Sequence, residues 1–375
     1  MVYLDHAAAT PINPKVLEAM RPYFLSDFYN PSAAYLPAKR VAADYEAAKA
    51  TIAHAIGAKA HDLVITAGAT EANNLALSCA SNILYLETEH DSVRCFAKNR
   101  GGRSIRVEQT GRIDLDDLRA KITDQTDLIS IALVNGEIGV IQPIAEVASL
   151  IREVKIDRWR RAIKTPLSLH SDASQALNLM DVNVARLGVD LMTLNSAKIY
   201  GPKGVGALYV SHETKITPQI LGGGQENGLR SCTENVPGVI GLAKAVELSH
   251  ERVNGNRKKY SEMKKMLLNK LKWYEQVVKR HQLDNFVNVC YNGIDGERLV
   301  FLLEEKGIYV ATGAACAASK GEKSHVLKAL GLSDAEIAGS LRLSLGETNT
   351  MEQLSEAAEI INEVVAREYE RIRHA

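Results

Sequence analysis

Short apolar runs alternate with amphipathic stretches between about residues 40 and 245, and this alternation constrains the fold more than any other feature of the chain. Each run is short enough to be one buried strand. The runs occupy residues 63–66, 82–86, 128–134, 168–170, 190–194 and 206–210. Helical periodicity separates several of them, for example over residues 70–80 and 144–155. The pattern predicts an α/β fold in which helices cover a mostly parallel sheet.

The pattern changes in the last third of the chain, where residues 246–278 are charged and helical. Further strand-like runs and a terminal helix then follow, at residues 286–290, 308–310, 341–345 and 351–372. We therefore expect a large α/β domain over residues 14–250 and a small α+β domain made of residues 1–13 and 251–375. The small domain would carry a mobile, cysteine-containing loop at about residues 311–325.

Composition argues against several classes of function. Lys plus Arg and Asp plus Glu are both 45, so the net charge favours neither nucleic acid nor an anionic membrane as a direct ligand. We find no apolar stretch long enough to span a bilayer, and the first residues lack the pattern of a secretory signal. The basic run at residues 155–164 is typical of a solvated helix end or loop. Five scattered cysteines without disulfide-like or metal-like spacing fit a reducing, cytoplasmic location.

Lys198 follows the apolar run at residues 190–194 and precedes a Gly/Pro turn, so it lies at the end of a predicted strand. A lysine amine titrates near about 10.4 and is a weak nucleophile unless burial or a neighbouring cation lowers its pKa. By itself the position is more typical of a surface lysine. Asp172 changes this interpretation, because a lysine that forms an imine and an aspartate beside a pyridinium nitrogen are the pair that a pyridoxal phosphate site requires.

Residues 66–74 leave a predicted strand through a glycine turn and open a helix. The exposed amides and the positive end of such a helix suit a phosphate group, and the Thr70 hydroxyl would add a hydrogen bond. Threonine is also a common helix cap, so this motif alone is weak. Next to Lys198 and Asp172 it becomes a candidate phosphate site.

Other polar residues follow predicted strands or lie within one. His90 follows the run at residues 82–86 and is suited to stack on a pyridine ring and to move protons. Gln175 would contact the phenolic oxygen of the cofactor. Arg342 alternates with apolar residues in a strand and would hold a substrate carboxylate with two hydrogen bonds. The alternatives are a structural histidine, a structural glutamine and a cross-domain salt bridge.

Cys316 is the candidate nucleophile, because it lies among alanines in a segment with little packing to fix it. A thiol reacts as its thiolate, and Lys320, Lys323 and His325 are candidates to lower its pKa. The alternative is a small buried hydrophobic side chain, as most free cysteines are. The remaining cysteines are assigned to that class: Cys79, Cys95, Cys232 and Cys290.

Taken together, these motifs resemble the cysteine desulfurases of the class V aminotransferase superfamily. The resemblance extends over nearly the whole chain, and its ordered set of motifs is highly specific. In chain order the motifs are at residues 3–11, 30–32, 68–71, 89–90, 137–143, 169–176, 195–210, 222–226, 233–235, 310–323 and 342–346.

The resemblance implies a fold-type-I pyridoxal phosphate enzyme that acts as a homodimer, with its active sites at the subunit interface. Lys198 would form the imine with the cofactor, Asp172 would pair with the pyridine nitrogen, and His90 would stack on the ring. Gln175 would contact the phenolic oxygen. The residues expected on the phosphate side of the cofactor are Ala69, Thr70, Asn195 and, from the other subunit, Thr233.

The resemblance also implies the reaction. L-cysteine would be the substrate, with Arg342 and Asn30 as its contacts, and Lys198 and His90 would be catalytic. The Cys316 thiol would attack the substrate's sulfur, giving alanine and a persulfide on Cys316. The sulfur would then pass to an acceptor protein, such as an iron–sulfur scaffold or a tRNA-thiolation enzyme.

Several residues depart from the family pattern. Gly136 stands where an asparagine is usual, and Asn195 and Ala197 stand where serine and histidine are usual. Each lost hydrogen bond would weaken cofactor binding by about 1–3 kcal/mol. Two alternatives therefore stay open: a pyridoxal phosphate lyase that acts on cysteine, cystine or selenocysteine, and a catalytically weak subunit that serves as a scaffold.

Overall fold

The structure, a computed structural model, describes residues 1–313 and 323–374. The largest sheet within these residues has seven strands, in the spatial order β2-β8-β7-β6-β5-β3-β4. They are β2 (Leu63–Thr66), β3 (Ile83–Leu86), β4 (Arg103–Ile105), β5 (Leu128–Ser130), β6 (Ser168–Asp172), β7 (Leu191–Asn195) and β8 (Gly206–Val210). Every neighbouring pair is parallel except those that involve β8. The predicted α/β fold with a mostly parallel sheet is confirmed.

Helices cover both faces of this sheet, so most of its strand residues are buried. The helices of this part of the chain are α1 (Pro14–Met20), α2 (Pro22–Leu25), α3 (Leu36–Ala55), α4 (Ala69–Leu77), α5 (Asp91–Asn99), α6 (Leu115–Lys121), α7 (Ile144–Arg160), α8 (Val184–Leu187) and α9 (Val236–Lys270). Alternate strand residues enter separate clusters. Leu84 and Leu86 join the cluster that includes residues of α3, α7 and α9, whereas Ile83 and Tyr85 pack with α4 and α5.

A second sheet contains strands from the C-terminal part of the chain, in the order β12-β13-β10-β9, and its neighbouring strands are antiparallel. These strands are β9 (Glu275–Gln276), β10 (Phe286–Cys290), β12 (Ala311–Thr312) and β13 (Ser340–Ser344). The accompanying helices are α10 (Gly296–Glu305), α11 (His325–Ala329), α12 (Asp334–Ala338) and α13 (Met351–Arg373).

The N-terminus joins this C-terminal part, because β1 (Val2–Tyr3) pairs in parallel with β11 (Ile308–Tyr309). The division into domains at residues 13 and 250 stays a prediction.

Three predicted boundaries were wrong. β5 ends at Ser130 rather than at residue 134, because Ile131 and Leu133 still donate to β6 but the Ala132 amide donates to the Glu89 carboxyl group instead of to a strand. The long helix α9 begins at Val236, where Asn235 caps it, about ten residues before the predicted start. Its first turns are apolar and buried, so the change to charged composition marks the middle of the helix instead of its beginning. Residues 311–312, predicted as loop, form β12.

Most of the basic run at residues 155–164 is exposed, as predicted, but Arg158 is an exception. Its side chain is 2% exposed, although its neighbours Trp159 and Arg160 are exposed. The guanidinium donates to four backbone carbonyls that precede β5 and β6, namely those of Thr123, Thr126, Thr165 and Pro166. Because five donors in a planar fork match several carbonyls at once, this arginine joins the end of α7 to two strands.

The cysteines also differ from the prediction. Cys290 is buried as expected, but Cys79, Cys95 and Cys232 are exposed, so for these three the assignment to buried hydrophobic positions was wrong. Cys95 lies on α5 and Cys232 in the segment before α9, and both positions face solvent. Across residues 1–313 and 323–374, no helix is long and apolar enough to cross a membrane.

Candidate active site

A cavity of about 900 Å³ opens at the carboxyl edge of the large sheet. Its lining segments directly follow β2, β3, β5, β6 and β7, which run in the same direction. Ligand sites in open α/β sheets lie at this edge. The predicted site residues that line the cavity are Ala69, Thr70, His90, Asp172, Gln175, Asn195, Lys198 and Arg342.

Asp172 is the last residue of β6 and is 8% exposed. Its Oδ2 accepts a hydrogen bond of 2.8 Å from Asn73 Nδ2, and its Oδ1 accepts one of 2.9 Å from the Ser174 amide. Asn73 is fully buried on α4 and also donates to Ser92 Oγ. These bonds fix the orientation of the carboxylate. Sequence reasoning missed Asn73, although an asparagine on the apolar face of a helix is a recognisable signal.

His90 caps the N-terminus of α5. Its Nδ1 accepts from the Ser92 amide at 3.1 Å and lies 2.9 Å from Ser92 Oγ. Because the Ser92 amide can only donate, Nδ1 is the acceptor and the neutral ring carries its proton on Nε2. Ser92 thereby links His90 to Asn73 and, through Asn73, to Asp172.

Lys198 ends a short turn directly after β7. Its Nζ donates to the carbonyl oxygen of Ala7 at 2.8 Å and to that of Ala8. Gln175 Nε2 donates to the same Ala7 oxygen at 3.0 Å. Asn195 caps the turn, since its Oδ1 accepts from the amide of Ala197 at 3.1 Å. The N-terminal segment therefore lies against the lysine and the glutamine that were predicted from distant parts of the sequence.

The N-terminus of α4 is open toward the cavity. Gly68 precedes the helix, with φ 145°, and no side chain caps the first amides. A Cβ on Gly206 of β8 would lie 2.9 Å from Gly68 Cα, so glycine at 206 permits this close crossing. Thr70 in the first turn is exposed. Uncapped amides and the positive helix end leave a binding position for an anion.

Arg342 of β13 is 6% exposed and already has an anionic partner. Its Nη2 lies 2.6 Å from Asp5 Oδ1, and its Nη1 donates to the carbonyl oxygen of Gly136 at 3.0 Å. The salt bridge considered as the alternative is thus present. Asp5 belongs to the same predicted small domain as Arg342, so the bridge does not cross the predicted domain boundary.

Two carboxyl groups at the cavity, one fully buried and one half-buried, were not predicted as site residues. Glu89 is fully buried, and burial raises its pKa well above the usual range, with a further rise from the nearby Asp172 charge. Burial also raises the pKa of Glu137 to about 8, against the opposing effects of a hydrogen bond from Ser324 and of Arg342. Both acids lie in segments that follow strands of the large sheet, Glu89 after β3 and Glu137 after β5, which is the signal that sequence reasoning overlooked.

Of the remaining predicted residues that the structure describes, His325 lies at the cavity and the others do not. Asn30 and Thr233 are exposed and do not line this cavity. Cys316 and Lys320 lie outside the described residues. His325 lines the cavity, where its Nε2 is 2.9 Å from the carbonyl oxygen of Glu89, and burial lowers its pKa. Lys323 pairs instead with Asp334 at 2.8 Å.

Comparison with known proteins identifies the family. Residues 2–356 match the class-V aminotransferases. The chain belongs to this family. It is 37% identical to the cysteine desulfurase IscS 1 of Archaeoglobus fulgidus, over 98% of this chain and 97% of that protein. Among solved structures, a NifS-like protein superposes with a TM-score of 0.90 at 28% identity, covering 98% of this chain and 99% of that one. A structure described as SspA in complex with cysteine has a TM-score of 0.79 at 30% identity, covering 92% and 99%.

Class-V aminotransferases use pyridoxal phosphate, and the residues at the cavity fit this group. The Asp172 carboxylate suits a pyridinium nitrogen, Lys198 offers an amine, and the uncapped start of α4 suits a phosphate. Gly136 also determines the space on one side of the cavity, because a Cβ at residue 136 would lie 3.3 Å from Gln175 Nε2. The glycine leaves room beside Gln175 that a side chain would fill.

The Glu137 pKa predicts how stability depends on pH. The folded protein raises this pKa from 4.5 to about 8, so the contribution is fully present below pH 4.5 and is lost as pH rises through about 8. Glu137→Gln removes the titrating group. Between about pH 5 and pH 9 the wild type should lose roughly 3 kcal/mol more unfolding free energy than the variant. Denaturant unfolding at a series of pH values measures this difference.

The exposed Glu359 provides the matched control. Its Gln variant should follow the wild-type pH profile. Parallel profiles for Glu137→Gln and the wild type would show that the Glu137 carboxyl group does not titrate in this range.

Proposed function

We propose that this protein is a pyridoxal-phosphate-dependent cysteine desulfurase, which converts L-cysteine to L-alanine and takes up the sulfur as a persulfide. The observation that carries the proposal is one cavity lined by Lys198, Asp172, His90 and Arg342. The curated relative named cysteine desulfurase, aligned over 98% of this chain, supports the same reaction. When bound, pyridoxal phosphate supplies an electron sink for bond cleavage at the α-carbon of an amino acid.

The residues around the cavity have distinct roles in this proposal. Lys198 would hold the cofactor through its Nζ, and the same amine would move the proton at the substrate's α-carbon. Asp172, held by Asn73, would face the pyridine nitrogen, because an adjacent carboxylate favours the cationic form of that nitrogen. His90 would lie against the ring, with its Nε2 available for proton transfer. Gln175 would donate to the phenolic oxygen.

Phosphate binding involves the N-terminus of α4. The amides of Ala69 and Thr70 and the Thr70 hydroxyl would hold the phosphate, and Asn195 would contribute from the opposite side. Thr233 of a second subunit would complete the site. Asn195 Oδ1 already accepts from the Ala197 amide, so its Nδ2 is the group that remains to donate.

Substrate binding relies on Arg342, which pairs with the carboxylate of L-cysteine, while Asn30 is a further contact. The Cys316 thiolate then attacks the substrate's Sγ. The Cβ–Sγ bond breaks, its electron pair stays on Cβ, and Cβ takes up a proton to give alanine. The new S–S bond leaves a persulfide on Cys316, so no external oxidant is needed. The acceptor protein that receives this sulfur and the cytoplasmic location stay predictions.

A second subunit is proposed from an apolar surface between residues 24 and 36. Five large apolar side chains on this surface are more than half exposed: Phe24, Leu25, Phe28, Tyr35 and Leu36. The rings of Phe28 and Tyr29 stack with centroids 4.7 Å apart. Such a patch on a monomer is typical of a protein–protein interface. We infer that it is part of the homodimer contact.

Lys198→Ala tests the cofactor assignment. The wild type reconstituted with pyridoxal phosphate should show a visible absorption band that survives dialysis, whereas the variant should lose the band and sulfide production, because the covalent attachment requires Nζ. Lys203→Ala, an exposed lysine in the same segment, should keep both. A band unchanged in Lys198→Ala would overturn the assignment. Wild-type protein that stays colourless would instead favour the scaffold alternative.

Cys316→Ala separates the desulfurase from the lyase alternative. A desulfurase should lose persulfide formation and at least about 100-fold of its sulfide release, because the protein nucleophile is gone. A lyase should retain sulfide release. Cys232→Ala, which removes an exposed cysteine, is the control and should behave as the wild type. Sulfide assays and mass spectrometry of the trapped persulfide measure both outcomes.

Phe28→Asp tests the dimer. A buried charge without a partner is costly at an interface, so the variant should dissociate toward monomers and bind pyridoxal phosphate more weakly. Light scattering at several concentrations measures the mass. Trp159→Asp changes an even more exposed aromatic residue on α7, which is 80% exposed against 66% for Phe28, and should leave the mass unchanged. An unaltered mass for Phe28→Asp, or a monomeric wild type, would exclude this surface as the dimer contact.

A further inference from the structure

The N-terminal segment at residues 5–8 contacts three of the proposed active-site side chains. Asp5 pairs with Arg342, while the carbonyl of Ala7 accepts from Gln175 and from Lys198. Asp5 follows β1 and forms a bridge with Ser344 of β13, two residues from Arg342. A segment that is far away in sequence is therefore part of the cavity wall.

The backbone of this segment is held on several sides. The Leu4 amide donates to Tyr309 at 2.8 Å, and Leu4 accepts from the amide of Ser344 at 2.7 Å. The Tyr3 hydroxyl lies 2.9 Å from the carbonyl oxygen of Asp5, and the Ala7 amide donates to Ser344 Oγ at 2.9 Å. Because these bonds fix the backbone on both sides of Asp5, its short side chain has a defined position.

The Arg342 guanidinium is held at two of its three nitrogens. Asp5 accepts a hydrogen bond from Nη2, and the carbonyl oxygen of Gly136 accepts one from Nη1. The third, Nε, is buried and has no hydrogen-bond partner within residues 1–313 and 323–374. A buried donor of this kind is rare without a ligand or water to accept from it. Since the residue lines the cavity, the guanidinium is oriented but retains hydrogen-bonding capacity for an acceptor.

We propose that Asp5 is a positioning residue for the carboxylate of the amino-acid substrate, acting through Arg342. The inference rests on the proposed function, in which Arg342 binds that carboxylate. Asp5 neutralises the buried guanidinium and holds its plane, so little side-chain entropy is lost when a carboxylate binds. If the Asp5–Arg342 pair were purely structural, it would stabilise the fold but would not strengthen the binding of carboxylate-bearing ligands more than that of other ligands.

Two ligands that differ in the carboxylate test this role. L-alanine carries the carboxylate, and ethylamine has the same amine and two-carbon unit without it. Calorimetric titration of the pyridoxal-phosphate-treated protein gives the Kd of each. Asp5→Ala should raise the Kd of L-alanine about tenfold and that of ethylamine by less than about twofold. Asp5→Asn, which keeps a hydrogen-bonding oxygen, should give an intermediate value.

The matched control is Glu347→Ala. Glu347 is as exposed as Asp5, with side-chain exposures of 18% and 19%, and it also pairs with an arginine, Arg252. It does not line the cavity. This variant should leave both Kd values within about twofold of the wild type. Thermal melting of every variant shows whether it is folded. If Asp5→Ala is not folded, Asp5→Asn provides the test.

The possible outcomes separate this inference from the proposed function. If L-cysteine is converted but the Asp5 variants leave the Kd of L-alanine unchanged, tighten it, or shift both ligands equally, the positioning role is overturned and the function stands. If the Asp5 variants weaken only L-alanine but no persulfide forms, the function fails and the positioning role stands. Wild-type protein that does not distinguish L-alanine from ethylamine would overturn the inference as well.

Discussion

The parallel direction of β3, β5, β6 and β7 is the constraint on which the candidate site depends. Parallel strands end at one edge of a sheet, so the segments that follow them meet there whatever their separation in sequence. His90, Asp172 and Lys198 are brought together in this way. The helices that connect the strands bury both faces of the sheet, which leaves this edge as the place where polar groups gather around a cavity.

Several ionisable groups are buried close together at and behind this cavity, and their burial affects which of them are protonated. Asp172 has hydrogen bonds to both carboxyl oxygens, one from Asn73 and one from the Ser174 amide. Glu89 lies close to the Asp172 charge and is fully buried, so the neutral form is favoured there. Behind the site, burial lowers the pKa of His170 to about 4, and this ring stays neutral between Ser130 and Thr193.

The N-terminal segment connects the two sheets to the same cavity. Its first residues pair with β11 and β13, and Thr10 then bonds to the Ala197 carbonyl and the Tyr200 amide on the two sides of Lys198. The backbone around Lys198 is therefore held by the N-terminal segment, which also pairs with β11 and β13. The position of the lysine therefore depends on how the N-terminal and C-terminal parts pack against the large sheet.

The α/β class, the chain positions of most strands of the large sheet, and the family follow from the sequence alone, because strand and helix periodicity and the ordered motifs are local properties. The sequence also indicated Lys198, Asp172 and His90, since each follows a predicted strand within a few residues. The folded structure was needed to show that Asp5 pairs with Arg342, that Asn73 orients Asp172, and that Arg158 is buried in a basic run. These contacts join residues distant in sequence, and no local pattern specifies which buried polar group will meet which partner.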